Sequence, residues 1–104
     1  MGESRLEYRG LTAMSIIYIR CRVHRGLFDT EYYVLVNGSS AYYISRDNVK
    51  VTKPPQGENS VNGKVRGYLI QKTKDMSLVQ LPGEAVVGGL RTWVTNSAIS
   101  NGQE

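Results

Sequence analysis

Cys21 and His24 are the only cysteine and the only histidine of the chain, three residues apart in the segment SIIYIRCRVHR. A thiolate–imidazole pair would make a nucleophile, but only with both side chains on the same side of the backbone. The segment alternates: Ile17, Ile19, Cys21 and Val23 share one face of a strand, and Tyr18, Arg20, Arg22 and His24 share the other. An odd offset puts the pair on opposite faces. Cys21 therefore reads as a small buried hydrophobe, and His24 as a solvated side chain. One cysteine forms no internal disulfide, and one cysteine with one histidine makes no ordinary zinc site. Asp29 and Glu31 are the only close pair of acids before the linker at 53–60, and the glycines sit at turns, not in a phosphate loop. No catalytic residue, metal or cofactor is assigned, and the chain is read as a non-enzyme. A site shared between subunits is the one catalytic route left open.

The cations and rings carry more. Formal charge is +4, unevenly spread. Residues 14–26 hold Arg20, Arg22 and Arg25 with no acid, and residues 46–74 hold seven cations against Asp47 and Glu58. The candidate phosphate contacts are Arg20, Arg22, Lys64, Arg66 and Lys72, with Tyr18 and Tyr68 interleaved for base stacking. If the two basic strands are neighbours, their cations form one stripe with two rings in it. The tyrosine pairs Tyr32-Tyr33 and Tyr42-Tyr43 each place one ring on each face of a strand, so one ring per pair faces outward. Tyr32 and Tyr42 are assigned to cross-strand aromatic pairing, whereas Tyr33, Tyr43 and Trp93 are interface candidates.

These side chains need strands to hold them. In 104 residues, Val, Ile and Thr supply 23 positions and aromatics 9, against 4 Ala, a balance that disfavours a helical bundle. At 40% hydrophobic and 21% charged, the chain is not disordered as a whole. No apolar run approaches a membrane span and no signal-peptide core is visible, so a cytoplasmic protein without membrane contact is expected. Asn37-Gly38 is the strongest hairpin signal, joining strands at 31–36 and 40–45. Arg46-Asp47-Asn48 turns into a short strand at 49–51. The stretch 53–60, with Pro54 and Pro55, is a linker, and Asn62-Gly63 reads as a further turn. A long strand from Lys64 to Lys74 points Val65, Gly67 and Leu69 inward, with a bulge or bend expected at Gly67. Met76 to Leu81 returns it. Gly88-Gly89 reads as a two-residue hairpin between 84–87 and 90–94, and a single helical turn after Thr95 brings Ile99 to the core. No internal repeat stands out. The fold class is all-β: a small barrel of six to eight short antiparallel strands with at most one helical turn.

The segment KVRGYLIQKTKDMSLVQLPG followed by LRTWVTNSAI resembles the distal part of bacterial SH3-like barrels, through Val65, Leu69, Leu78, Leu81, Trp93, Val94 and Ile99. The resemblance covers residues 64–99. Residues 27–34 lack the acidic pattern of peptide-binding SH3 domains, and the Pro-Tyr pair near the end is missing, so proline-peptide binding is not implied. Residues 1–13 are read as a disordered leader or upstream extension, with Met14 as the natural start; Arg9-Gly10 can be encoded by a purine run like a bacterial ribosome-binding site. Residues 14–100 are one domain and 101–104 a frayed tail.

Three functions follow as expectations. The first is a non-catalytic binding or assembly module that self-associates through an outward Tyr/Trp patch, with a protein partner as a variant of the same idea. The second is a weak, sequence-tolerant nucleic-acid-binding barrel. The third is a small-molecule or enzymatic site at a subunit interface.

Overall fold

The computed structural model describes residues 15–100; the leader at 1–13, the start at Met14 and the tail at 101–104 lie outside the described residues. Among the described residues, nine strands make one curled antiparallel sheet, a half-barrel, with two short 3-10 turns. The strands are β1 (Ser15–Arg25), β2 (Glu31–Val36), β3 (Ser40–Ser45), β4 (Val49–Val51), β5 (Val61–Lys72), β6 (Met76–Gln80), β7 (Glu84–Val87), β8 (Arg91–Thr95) and β9 (Ile99–Ser100). The sheet runs β7-β3-β2-β1-β5-β6-β8, with β4 added to β5 and β9 to β1. The all-β antiparallel class holds. The strand count exceeds the expected range by one, because the chain after the second 3-10 turn adds the two-residue β9, and the turn at Arg46–Asn48 is itself a 3-10 turn, so there are two helical turns where at most one was expected.

Alternation on β1 falls as the sequence requires. Ile17, Ile19, Cys21 and Val23 are buried, while the residues between them are half-buried or exposed. They pack with Val34, Val36, Tyr42, Ile44, Val65, Val79, Leu81 and Val94 in one core on the concave side. The Asn37-Gly38 hairpin forms with both residues at positive φ, 63° and 72°, and the Ser39 N–H closes it onto the Val36 carbonyl. Asparagine and glycine are the residues that adopt this backbone at least cost, and its twist matches that of the flanking strands.

Three expectations are corrected. Asn62-Gly63 is not a turn but part of β5; Gly63 lies against Val23 and β4, where a Cβ would come within 2.7 Å of Val23 Cγ2 and 2.8 Å of the Lys50 carbonyl oxygen. Its glycine serves close approach between strands. Gly88-Gly89 is not a hairpin: β7 pairs with β3 and β8 with β6, so these glycines carry the chain from one edge of the sheet to the other. The buried Tyr42 hydroxyl donates to the Gly89 carbonyl at 2.7 Å and anchors this crossing. The irregularity in β5 falls at Ile70 and not at Gly67: Leu69 opposes Val79, but Gln71 opposes Leu78. That extra residue reverses the inward–outward phase for the rest of the strand.

The pairing pattern also reveals an internal duplication that the residues did not. Exchanging β1 with β5, β2 with β6, β3 with β8 and β4 with β9 maps the sheet onto itself. The hairpin β1–β2 becomes β5–β6, β2–β3 becomes β6–β8, and β4 on β5 becomes β9 on β1. The register agrees: Val49 opposite Val65 becomes Ile99 opposite Ile19, and Val23 opposite Val34 becomes Leu69 opposite Val79. The Arg46 N–H donates to the Thr30 carbonyl at 3.0 Å, as the Asn96 N–H does to the Asp75 carbonyl at 2.9 Å. The approximate twofold passes through the Ile19–Val65 pair, at the centre of the β1–β5 ladder. Among the described residues β7 has no counterpart.

Candidate nucleic-acid interface

β1 and β5 pair over nine positions, the longest ladder in the sheet. The outward side chains of β1 therefore meet those of β5 directly: Ile16 faces Tyr68, Tyr18 faces Arg66, Arg20 faces Lys64 and Arg22 faces Asn62. β4 extends the same surface, with Lys50 opposite Lys64. Lys50, Lys64 and Arg20 thus occupy one cross-strand row, and Arg66 and Arg22 flank it. Like charges directly opposite one another destabilise a sheet. None of the three strands contains an acid.

Local contacts fix Arg20, Arg22 and Lys50 in place. The Arg22 guanidinium donates to Ser60 Oγ at 2.6 Å and to Asn62 Oδ1, which holds the end of the 53–60 linker against the strand. The Arg20 guanidinium donates to the Ser97 carbonyl of the second 3-10 turn. Lys50 Nζ lies 4.3 Å from the centre of the Tyr18 ring, within cation–π range. The Arg20 and Arg22 acceptors and the Tyr18 ring are all neutral groups. Beside the row is an open groove of about 340 Å³ lined by Arg20, Lys50, Asn62 and Lys64.

Lys72 leaves the stripe. The bulge at Ile70 reverses the phase, and Lys72 stands opposite the buried Ser77, at the concave mouth of the half-barrel. Lys50 takes its place: alternation in Val49-Lys50-Val51 turns it outward, and the pairing of β4 with β5 supplies its neighbour Lys64.

The aromatic candidates separate. Tyr32 and Tyr42 are buried in the core, opposite Ile44 and Val34, so they do not form the expected cross-strand pair. That pair is Tyr33–Tyr43, outward, with ring centroids 5.2 Å apart, and His24 meets Tyr33 edge-on at 6.1 Å. Trp93 is outward too, at 40% exposure, but it lies on β8 opposite Leu78. Tyr43 and Trp93 occupy equivalent places under the twofold, and the Trp93 carbonyl accepts from Asn37 Nδ2 at 2.9 Å at the tip of the β2–β3 hairpin.

Cys21 is buried away from His24, and desolvation pushes its thiol up to about 12. Glu31 accepts the Leu27 N–H at 3.2 Å and ties the 26–30 loop. Among the described residues no three metal-ligating side chains gather, and no helix is long and apolar enough to cross a membrane. Comparison with known protein families, curated proteins and solved structures finds no match.

Proposed function

We propose that this protein is a cytoplasmic, non-catalytic binding module of SH3-like or related barrel form whose convex face binds single-stranded nucleic acid without strong sequence preference. The observation that carries this reading is the β1–β5–β4 surface: Arg20, Arg22, Lys50, Lys64 and Arg66 around Tyr18 and Tyr68, on acid-free strands. Cations that follow a phosphate chain and rings on which bases stack are the two parts of a sequence-tolerant single-strand binder. The cross-strand row of like charges costs stability, and a polyanion offsets that cost. Fluorescence anisotropy with short single-stranded DNA and RNA tests the proposal. Weak binding that strengthens as salt is lowered supports it; no binding at low salt ends it.

A second reading keeps self-association. Leu27, Val86, Tyr33 and Tyr43 line an open groove of about 400 Å³ beside β7, which among the described residues is an edge strand paired with β3. Leu27 is 72% exposed. A second copy seated there would cover apolar surface and that strand edge. Light scattering at micromolar concentration decides it: a dimer that Tyr43→Ser dissolves supports the reading, and a monomer at high concentration removes it.

A further inference from the structure

The internal twofold allows the two ends of the half-barrel to be compared side by side. In the first half, the inward ring of Tyr32, 5% exposed, fills the space beneath the 3-10 turn, and the Arg46 guanidinium covers it 4.6 Å from the ring centre. The positions equivalent to Tyr32 and Arg46 in the second half are Ser77 and Asn96. These two also touch, Ser77 Oγ donating to Asn96 Oδ1, but a hydroxyl and a carboxamide replace a ring and a guanidinium. What remains is an open cavity of about 370 Å³, walled by Leu69 and Ile99 and edged by Lys72, Ser77, Asn96 and Ser100. That volume lies in the range of small-molecule sites.

The polar groups of the cavity are arranged unevenly. Asn96 Nδ2 is spent on the carbonyls of Thr73 and Lys74, both at 3.0 Å, which fixes the carboxamide and with it the Ser77 hydroxyl. Ser77 is fully buried. Ser100 Oγ is also buried and has no hydrogen-bond partner among the described residues. A buried hydroxyl without a partner is uncommon, because its desolvation goes uncompensated. Lys72, brought to this mouth by the bulge at Ile70, is exposed and supplies the positive charge.

We propose that this cavity is a binding site for a small planar carboxylate, with a ring occupying the space that Tyr32 fills in the other half. The ring would lie between Leu69 and Ile99, and its carboxylate would accept from Ser100 Oγ and pair with Lys72. This site is on the concave mouth, separate from the convex stripe, and it does not depend on the nucleic-acid reading.

The probe is benzoate, titrated to millimolar concentration into the ¹⁵N-labelled full chain and followed by amide shifts. Expected are saturable shifts concentrated in residues 69–77 and 96–100. Benzamide, the neutral isostere, should bind at least about tenfold more weakly, and so should benzoate to Lys72→Gln, because one charge pairing is lost in each case. Ser77→Tyr, which restores the ring of the first half, should abolish the shifts while the melting temperature holds or rises. Absence of saturable shifts would overturn the proposal. So would shifts centred on Arg20 and Arg66, or a folded Ser77→Tyr variant that still binds. If Ser77→Tyr does not fold, equal affinity for benzamide and benzoate would refute the site alone.

Discussion

Replacing Arg20 and Arg66 together with alanine tests the convex stripe quantitatively. The two side chains occupy equivalent places across the Ile19–Val65 axis, one on each strand of the central ladder. Neither is buried, so the fold should survive. Five cations face outward here: Arg20, Arg22, Lys50, Lys64 and Arg66. If each neutralises one phosphate, the log–log dependence of affinity on salt for a single strand has a slope of about −3.5, at roughly −0.7 per contact. Raising salt fourfold then weakens wild-type binding by about a hundredfold, and removing two contacts lowers the slope to about −2.1 and the loss to about twentyfold. Lys72→Ala is the internal control: a cation of the same strand, equally charged, but turned to the concave mouth by the bulge. Its slope should match wild type. Anisotropy titrations of a fluorescent single strand over a series of salt concentrations give all three slopes. Equal slopes for the double variant and wild type would refute the stripe, and a lowered slope for Lys72→Ala would show that only overall basicity matters.

Three further outcomes are expected. Val94→Ala should destabilise by roughly 1–3 kcal/mol through lost burial and a residual cavity, whereas Arg91→Ala, outward on the same strand, stays within about 0.5 kcal/mol in urea unfolding; equal costs would put the phase of β8 out by one residue. Gly63→Ala should lower stability by about 1–3 kcal/mol, because its Cβ would overlap Val23 and the Lys50 carbonyl, and thermal melts would show it; a neutral effect would mean Gly63 does lie in a turn. Cys21 should resist alkylation in the folded protein and react at once in denaturant, since its raised pKa of about 12 cuts the thiolate fraction at neutral pH by about a thousandfold. The linked stability is constant below the unfolded thiol's pKa, near 9, and is lost as pH rises from there towards 12, because only the unfolded chain releases the proton readily.

Local chemistry determined much of this protein before any tertiary contact. The alternation from Ile17 to Val23 separates Cys21 from His24 and places Arg20 and Arg22 outward, because successive side chains on a strand leave opposite faces. Asn37-Gly38 dictates its hairpin, because few residue pairs tolerate two positive φ angles. Pro54 and Pro55 keep residues 53–60 out of the sheet.

Alternation names a side chain's face but not the strand beside it, and every misread feature follows from that. Asn62-Gly63 has the composition of a turn, yet the strand runs through it because β1 and β4 come close on either side. Gly88-Gly89 has the composition of a hairpin, yet the strands it joins belong to opposite edges, since β3 and β6 are already in place to receive them. The single extra residue at Ile70 sends Lys72 to the far side of the sheet, and only the pairing of β5 with β6 reveals it. The duplication stays hidden in the sequence because equivalent positions share inward or outward direction while their chemistry has diverged, Tyr32 against Ser77 and Arg46 against Asn96. Closure of the sheet around a common core decides which strands become neighbours. That choice, made between segments some forty-five residues apart, assembles five scattered cations into one surface and leaves one mouth of the barrel filled and the other open.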